Sequence, residues 1–328
     1  MGALSNQLLT VAVLTYLVAM VCHAAEYAFG TRGPVARAAA RPRRELAAVG
    51  AGARGTAAAP EPETAPTTAS ATPADAKRHA LAGRIALAAT VLAAVLHVGA
   101  VVTRGIAARR MTWGNMYEFV LTLTLVGVVA WLVVLTRRPA IRRLGLFVTL
   151  ALVLLLGVAG MVLYTPVGPL MPALKSVWFI VHVSMAATAS GIFLLGFVTG
   201  VIYLLRAGYE QGKRSFPYPL ARWAPESEAL ERLTFRLHAF AFPIWTFAIA
   251  SGAVWAEAAW GRYWGWDPKE TWSFISWVVY AGYLHARATP SVKRRTATWI
   301  AILGFLTMMM NLIGVNLFFE GLHSYSGL

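Results

Sequence analysis

One cysteine, Cys22, is the entire thiol content of a 328-residue chain. That excludes a disulfide framework, a Cys-x-x-Cys redox pair and a thiolate metal cluster. Any thiol reduction connected with function must be done by another protein. Charge is scarce as well, at 13% Asp, Glu, Lys and Arg, against roughly 25% in an ordinary soluble domain. Acidic residues are the rarer sign, 14 against 29 basic, for a formal net charge of +15. Such a surplus suits nucleic acid when it gathers on one face. Here it is spread over alternate loops, so no nucleic-acid partner is expected.

Apolar residues fill the space that charge leaves: 58% of the chain is hydrophobic, with a mean hydropathy of +0.60. Runs of about 20 apolar residues, the length that crosses roughly 30 Å of hydrocarbon, recur at about 8–28, 83–103, 116–135, 145–164, 177–205, 235–257, 271–289 and 297–318. They predict an all-α polytopic membrane protein of about eight transmembrane helices. The first run lacks the basic flank and small-residue cleavage site of a signal peptide, and reads as a retained helix. Basic clusters occupy the loops at 31–82, 136–144, 206–234 and 286–296, among them Arg41, Arg43, Arg44, Arg137, Arg138, Arg142, Arg143 and Lys293 to Arg295. The positive-inside rule makes these loops cytoplasmic and both termini extracytoplasmic, in a multi-pass protein expected in the plasma membrane.

Residues 31–82 are rich in Ala, Pro and Arg and hold almost no bulky apolar side chain. Such a stretch buries too little to offset its ordering entropy and reads as a disordered cytoplasmic linker. The expected organisation is a first helix at 1–30, the linker at 31–82 and a seven-helix module at 83–328. The "PESEALERL" stretch at 225–233 carries helix-start signals and is a candidate surface helix.

The densest local signal is "WGRYWGWDPKETWS" at 260–273. Asp267, Pro268 and Glu270 have the spacing of a capping carboxylate, a first-turn proline and a capping-box partner, so a helix is expected to start there. Trp255, Trp260, Trp264, Trp266 and Trp272 crowd into 18 residues beside Tyr263. They suit either an interfacial aromatic belt or a platform for a flat ligand. Gly261 and Gly265 would let backbone approach such a ligand.

The segment is similar to the tryptophan-rich WWD signature of haem-handling proteins in cytochrome c biogenesis. Together with "WGNMYEF" at 113–119, "SVWFIVHVSMA" at 176–186 and "NLIGVNLFFEGLHSYSG" at 311–327, it makes residues 83–328 resemble the CcsA/ResC family of System II. The resemblance implies that haem b is carried non-covalently as cargo. It implies His182 and His323 as external axial ligands, His285 as an intramembrane ligand, and the tryptophans with Asp267 as the haem platform. It also implies a ResB/CcsB-like membrane partner, an apocytochrome c with a Cys-x-x-Cys-His motif as client, and a share in a holocytochrome c synthetase (haem lyase). No nucleophile or general base stands out, so the enzymatic role rests on the resemblance. A CcmC-type carrier without ligation activity, and a non-haem transporter with an interfacial Trp-rich loop, remain the alternatives.

Helix geometry agrees with that histidine set. His182 lies about six residues into a span, roughly 9 Å below the surface, and His285 lies 14 residues past Thr271, about 21 Å deeper. One iron cannot be bound at both levels, so two haem stations are expected. His238 lies near the depth of His285 and is a candidate local second ligand. His97 and His23 read as packed or interfacial, and His79 as solvated. Arg262 and Lys269 suit propionates or lipid headgroups equally. Glu118 is read either as a helix cap or as an acceptor orienting a ligand imidazole.

Overall fold

The computed structural model describes residues 1–29 and 73–323. These form long helices, joined from Pro73 onward by connections of some 5 to 16 residues, with no strand among the described residues. In hydrocarbon each backbone N–H and C=O must be satisfied within its own segment, and the apolar runs meet that demand as helices. They are α1 (Gly2–Phe29), α2 (Pro73–Ala108), α3 (Met116–Arg137), α4 (Gly145–Met161), α5 (Val177–Glu210), α6 (Ser227–Trp260), α7 (Pro268–Ala288) and α8 (Arg294–Met309). A π-helical turn, Met310–Gly314, and a short α9 (Val315–Phe318) extend α8. The expected linker falls on residues outside those described up to 72, and its remainder from Pro73 belongs to α2.

Seven of these helices are long and apolar enough to cross a membrane, and α7 is not among them. It has length enough, since its 21 residues extend about 31 Å, but Ser273, Ser276, Tyr280 and Tyr283 make one face polar. That face turns inward, where Ser276, Tyr280 and Tyr283 are buried. Among the described residues there are thus seven apolar helices long enough to span and an amphipathic eighth, α7, packed against α8 and α6. "PESEALERL" is not a separate surface helix: from Ser227 onward it is the first turns of the continuous α6.

Helix α5 is the centre of the bundle, packing along α6 and touching α3 and α8, while α1 packs along α2 and against α4. Small residues make this possible, as close approach replaces the hydrophobic drive that lipid does not supply. At Gly191 a β-carbon would stand 2.5 Å from the Leu123 carbonyl oxygen of α3. Basic segments gather at one end of the bundle. There Arg142 pairs with Glu26 at the end of α1, Arg143 reaches the Trp223 carbonyl, and Arg287 pairs with Glu231. The Trp-rich segment lies at the opposite end, between the end of α6 and the start of α7.

Candidate functional site

Four helix ends and the connections between them build the site. Asn115 caps α3 by accepting from the Glu118 N–H at 2.9 Å, and Ser176 caps α5 by accepting from the Trp178 N–H at 3.2 Å. Helix α6 stops at Gly261, whose φ of +71° is the left-handed conformation that glycine adopts without steric cost. Gly261 is thus a helix stop, and a β-carbon there would meet only open space. Asp267 and Glu270 then form a full capping box at the start of α7. The Glu270 carboxylate also accepts from the Gly265 N–H at 2.8 Å, which folds the preceding loop onto the helix. Between them Trp266 holds a φ of +58°, a conformation that costs a non-glycine residue roughly 1–2 kcal/mol.

These ends enclose an open-mouthed cleft walled by Trp113, Phe179, Trp255, Trp260, Trp264 and Met116, with His182, His323 and Lys269 also on its surface. Trp255 is its keystone. It is 2% exposed, and its indole N–H donates to the Ala173 carbonyl at 2.9 Å. His182 stacks on it at 5.8 Å and 17°, and His323 meets it edge-on at 5.7 Å and 70°. Trp260 lies 5.0 Å from the same His323 ring.

Both imidazoles are held through Nδ1. His182 Nδ1–H donates to the Ala248 carbonyl of α6 at 2.7 Å, and His323 Nδ1–H donates to Asp267 at 2.8 Å. A carbonyl oxygen only accepts, so the His182 proton is on Nδ1 and the lone pair on Nε2, the tautomer suited to metal ligation. Asp267 has two duties. One oxygen accepts from the Lys269 N–H at 3.1 Å and from His323, and the other from the Leu322 N–H at 2.7 Å. Burial pushes its carboxyl up, but the hydrogen bond and charge of His323 and the two backbone N–H groups outweigh this and hold it below the usual carboxylate range.

The expected site residues separate in three dimensions. His182, His323, Trp255, Trp260, Trp264 and Lys269 line one cleft. Trp266 is 65% exposed and packs on Trp264 and Phe274, and neither it nor Trp272 lines the cleft. Arg262 is also outside, with its guanidinium lying against Gly265. His285 is exposed in the last turn of α7, 18 residues and thus about 27 Å along the helix from Asp267. His238 is 1% exposed, lies among Phe193, Tyr280 and Tyr283, and is not among the residues that line the cleft. His97 and His23 are buried, as expected; the side chain of His79 lies outside the described residues.

Glu118 touches no imidazole among its contacts. It is fully buried and binds Arg104, Arg110 and the Gly114 N–H, so the orienting role is overturned and a capping role remains. Sequence reasoning also missed Trp113, Met116 and Asn311 as cleft residues. Asn311 sits in the π turn, where its carbonyl accepts from Lys269 Nζ at 3.0 Å. Helical periodicity gives no sign of such a turn, whereas Trp113 stood in a motif already singled out.

Fold and site together define a polytopic all-α membrane protein whose tryptophan-walled cleft holds two oriented imidazoles. Residues 113–323 match the cytochrome C assembly protein family, and the chain belongs to that family; the match begins and ends on cleft residues. The chain is 40% identical over 173 residues to the cytochrome c biogenesis protein CcsA of Guillardia theta, covering 49% of this chain and 58% of that protein. It is 33% identical over 208 residues to that of Gloeobacter violaceus, covering 49% and 62%. It is 30% identical over 253 residues to that of Trieres chinensis, covering 69% and 81%. The matches thus span under two thirds of the first two relatives and most of the third.

Proposed function

We propose that this chain presents haem for covalent attachment to apocytochrome c, as the haem-handling subunit of a cytochrome c synthetase. The observation that carries this reading is the pair of imidazoles on one tryptophan, each tied through Nδ1. Two such rings suit the two axial positions of haem iron, and flat indole walls suit a porphyrin face. His182 and His323 are the ligands in this reading, Trp255, Trp260 and Trp264 the walls, and Lys269 a propionate contact. Asp267 orients His323. Arg262, Trp266 and Trp272 are assigned no direct contact.

The cleft end faces the extracytoplasmic side of the plasma membrane in this proposal, because the basic loops gather at the other end. The client is an apocytochrome c with a reduced Cys-x-x-Cys-His motif. The chain itself binds haem, orients it and exposes an edge, while the client thiols supply the sulfur and a separate thiol-reducing protein keeps them reduced. His285 serves a second, deeper station. An imidazole on the exposed side of a membrane helix is costly in lipid, which favours cover by a ResB/CcsB-like partner.

The test is expression of this chain with such a partner in a host stripped of its own maturation machinery. The expected outcome is a Soret band in the purified complex and a matured reporter cytochrome c. Haem binding without maturation, both proteins being correctly inserted, would favour a carrier of the CcmC type. His285→Ala should lower the total haem loaded while leaving the spectrum of the external site unchanged.

A further inference from the structure

Behind the cleft wall lies a charge cluster with no place in ligand binding. Glu118 is fully buried and shared between two cations. Arg104 Nε–H donates to it at 2.9 Å, and Arg110 donates at 2.6 and 3.2 Å. Arg104 is fully buried and lies over the Tyr117 ring at 4.6 Å. The remaining bonds run to backbone. Arg104 donates to the Thr165 carbonyl, Arg110 to those of Gly168 and Met111, and the Gly114 N–H donates to Glu118 at 2.8 Å.

What these bonds join is informative. Gly114 belongs to the Trp113–Asn115 lip of the cleft. Thr165 and Gly168 belong to the connection between α4 and α5, the same connection whose Ala173 carbonyl seats Trp255. We infer that Glu118 is a positioning residue: with Arg104 and Arg110 it forms a buried brace that sets the Trp113 lip and the Ala173 seat at a fixed distance across the cleft. A lone helix cap would need only the Gly114 and Asn115 contacts. Two guanidiniums on one carboxylate, each reaching on to the α4–α5 connection, tie two walls together.

Charge makes the brace asymmetric. One carboxylate offsets two cations, so losing Glu118 leaves the buried Arg104 guanidinium and the partly exposed Arg110 one facing each other without a counter-charge. Losing Arg110 leaves a balanced Arg104–Glu118 pair. Glu118→Gln is therefore expected to do more damage than Arg110→Gln, and Arg110→Gln combined with Glu118→Gln less than Glu118→Gln alone.

The brace is read without haem by hydrogen exchange of the full chain in lipid nanodiscs. In Glu118→Gln, amides of 113–119 and 163–176 should exchange roughly tenfold faster while those of α1 stay unchanged. Glu118→Asp, which keeps the charge, should recover part of the protection and serves where Glu118→Gln fails to fold. Equal exchange in both segments for wild type and variant, or Arg110→Gln matching Glu118→Gln, overturns the inference. A second readout rests on the proposed haem site. Glu118→Gln should convert part of the bound haem from the two-imidazole low-spin form to a high-spin form that added imidazole reverses; mere loss of stability would lower the haem bound and leave that ratio alone. A wild-type chain without a Soret band would sink the haem reading and leave the exchange result to decide the brace.

Discussion

His182 and His238 have nearly the same local chemistry and opposite prospects. Each donates Nδ1–H to a backbone carbonyl of α6, at 2.7 Å to Ala248 and 2.8 Å to Thr234. Each ring lies close against a glycine of the facing helix, Gly252 for His182 and Gly196 for His238, and each stands among aromatic rings. His182, however, opens on the cleft, whereas Phe193, Tyr280 and Tyr283 close around His238 and leave its Nε2 without a partner among the described residues. Orientation by a second hydrogen bond is therefore common to both; what separates them is that only His182 lines the cleft.

Substitution sharpens that contrast. The largest effect is expected for His182→Ala and His323→Ala, which should abolish two-imidazole haem coordination, with added imidazole partly restoring it; an unchanged absorbance spectrum would refute the ligand assignment. Next comes Asp267→Ala. As a cap alone it should cost about 1 kcal/mol of helix stability, but the hydrogen bond to His323 adds a loss of roughly 10- to 100-fold in haem affinity. Thermal melting and haem titration separate the two parts. His238→Phe removes the unpartnered Nε2 but also the Nδ1–H bond to the Thr234 carbonyl, so haem binding should hold while stability falls by about 1 kcal/mol; haem loss in this variant would break the comparison. The smallest effect is expected for Gly261→Ala, about 1 kcal/mol from placing a β-carbon in the left-handed region, with the haem spectrum retained.

Helix α7 offers a related lesson within one element. Its first turn is bound on every side, through the capping box, His323 and the Lys269 contact to Asn311. Its last turn exposes His285. The capping box was legible because Asp, Pro and Glu at that spacing act locally, on backbone groups within three residues. The second duty of Asp267 was not, because His323 is 56 residues away in sequence. The polar inner face of α7 was hidden by averaging, since a composition window counts Ser276 and Tyr280 as lost apolarity without knowing which way they turn. Glu118 shows the same limit: its charge marked it as unusual, but its partners come from α2 and from the residues between α2 and α3.

By itself, then, the sequence determined the membrane-spanning, all-helical class, the helix caps, the end of the bundle to which basic loops go and the family whose motifs the chain carries. These follow from hydrophobic run length and from interactions a few residues long. Only the tertiary structure decided which of the six described histidine side chains share a cleft, that Arg262 and Trp266 stand outside it, and that Glu118 gathers Arg104, Arg110 and the Gly114 N–H behind its wall. Those outcomes depend on packing between helices remote in the chain, where one ring more or less beside an imidazole separates an open site from a filled core.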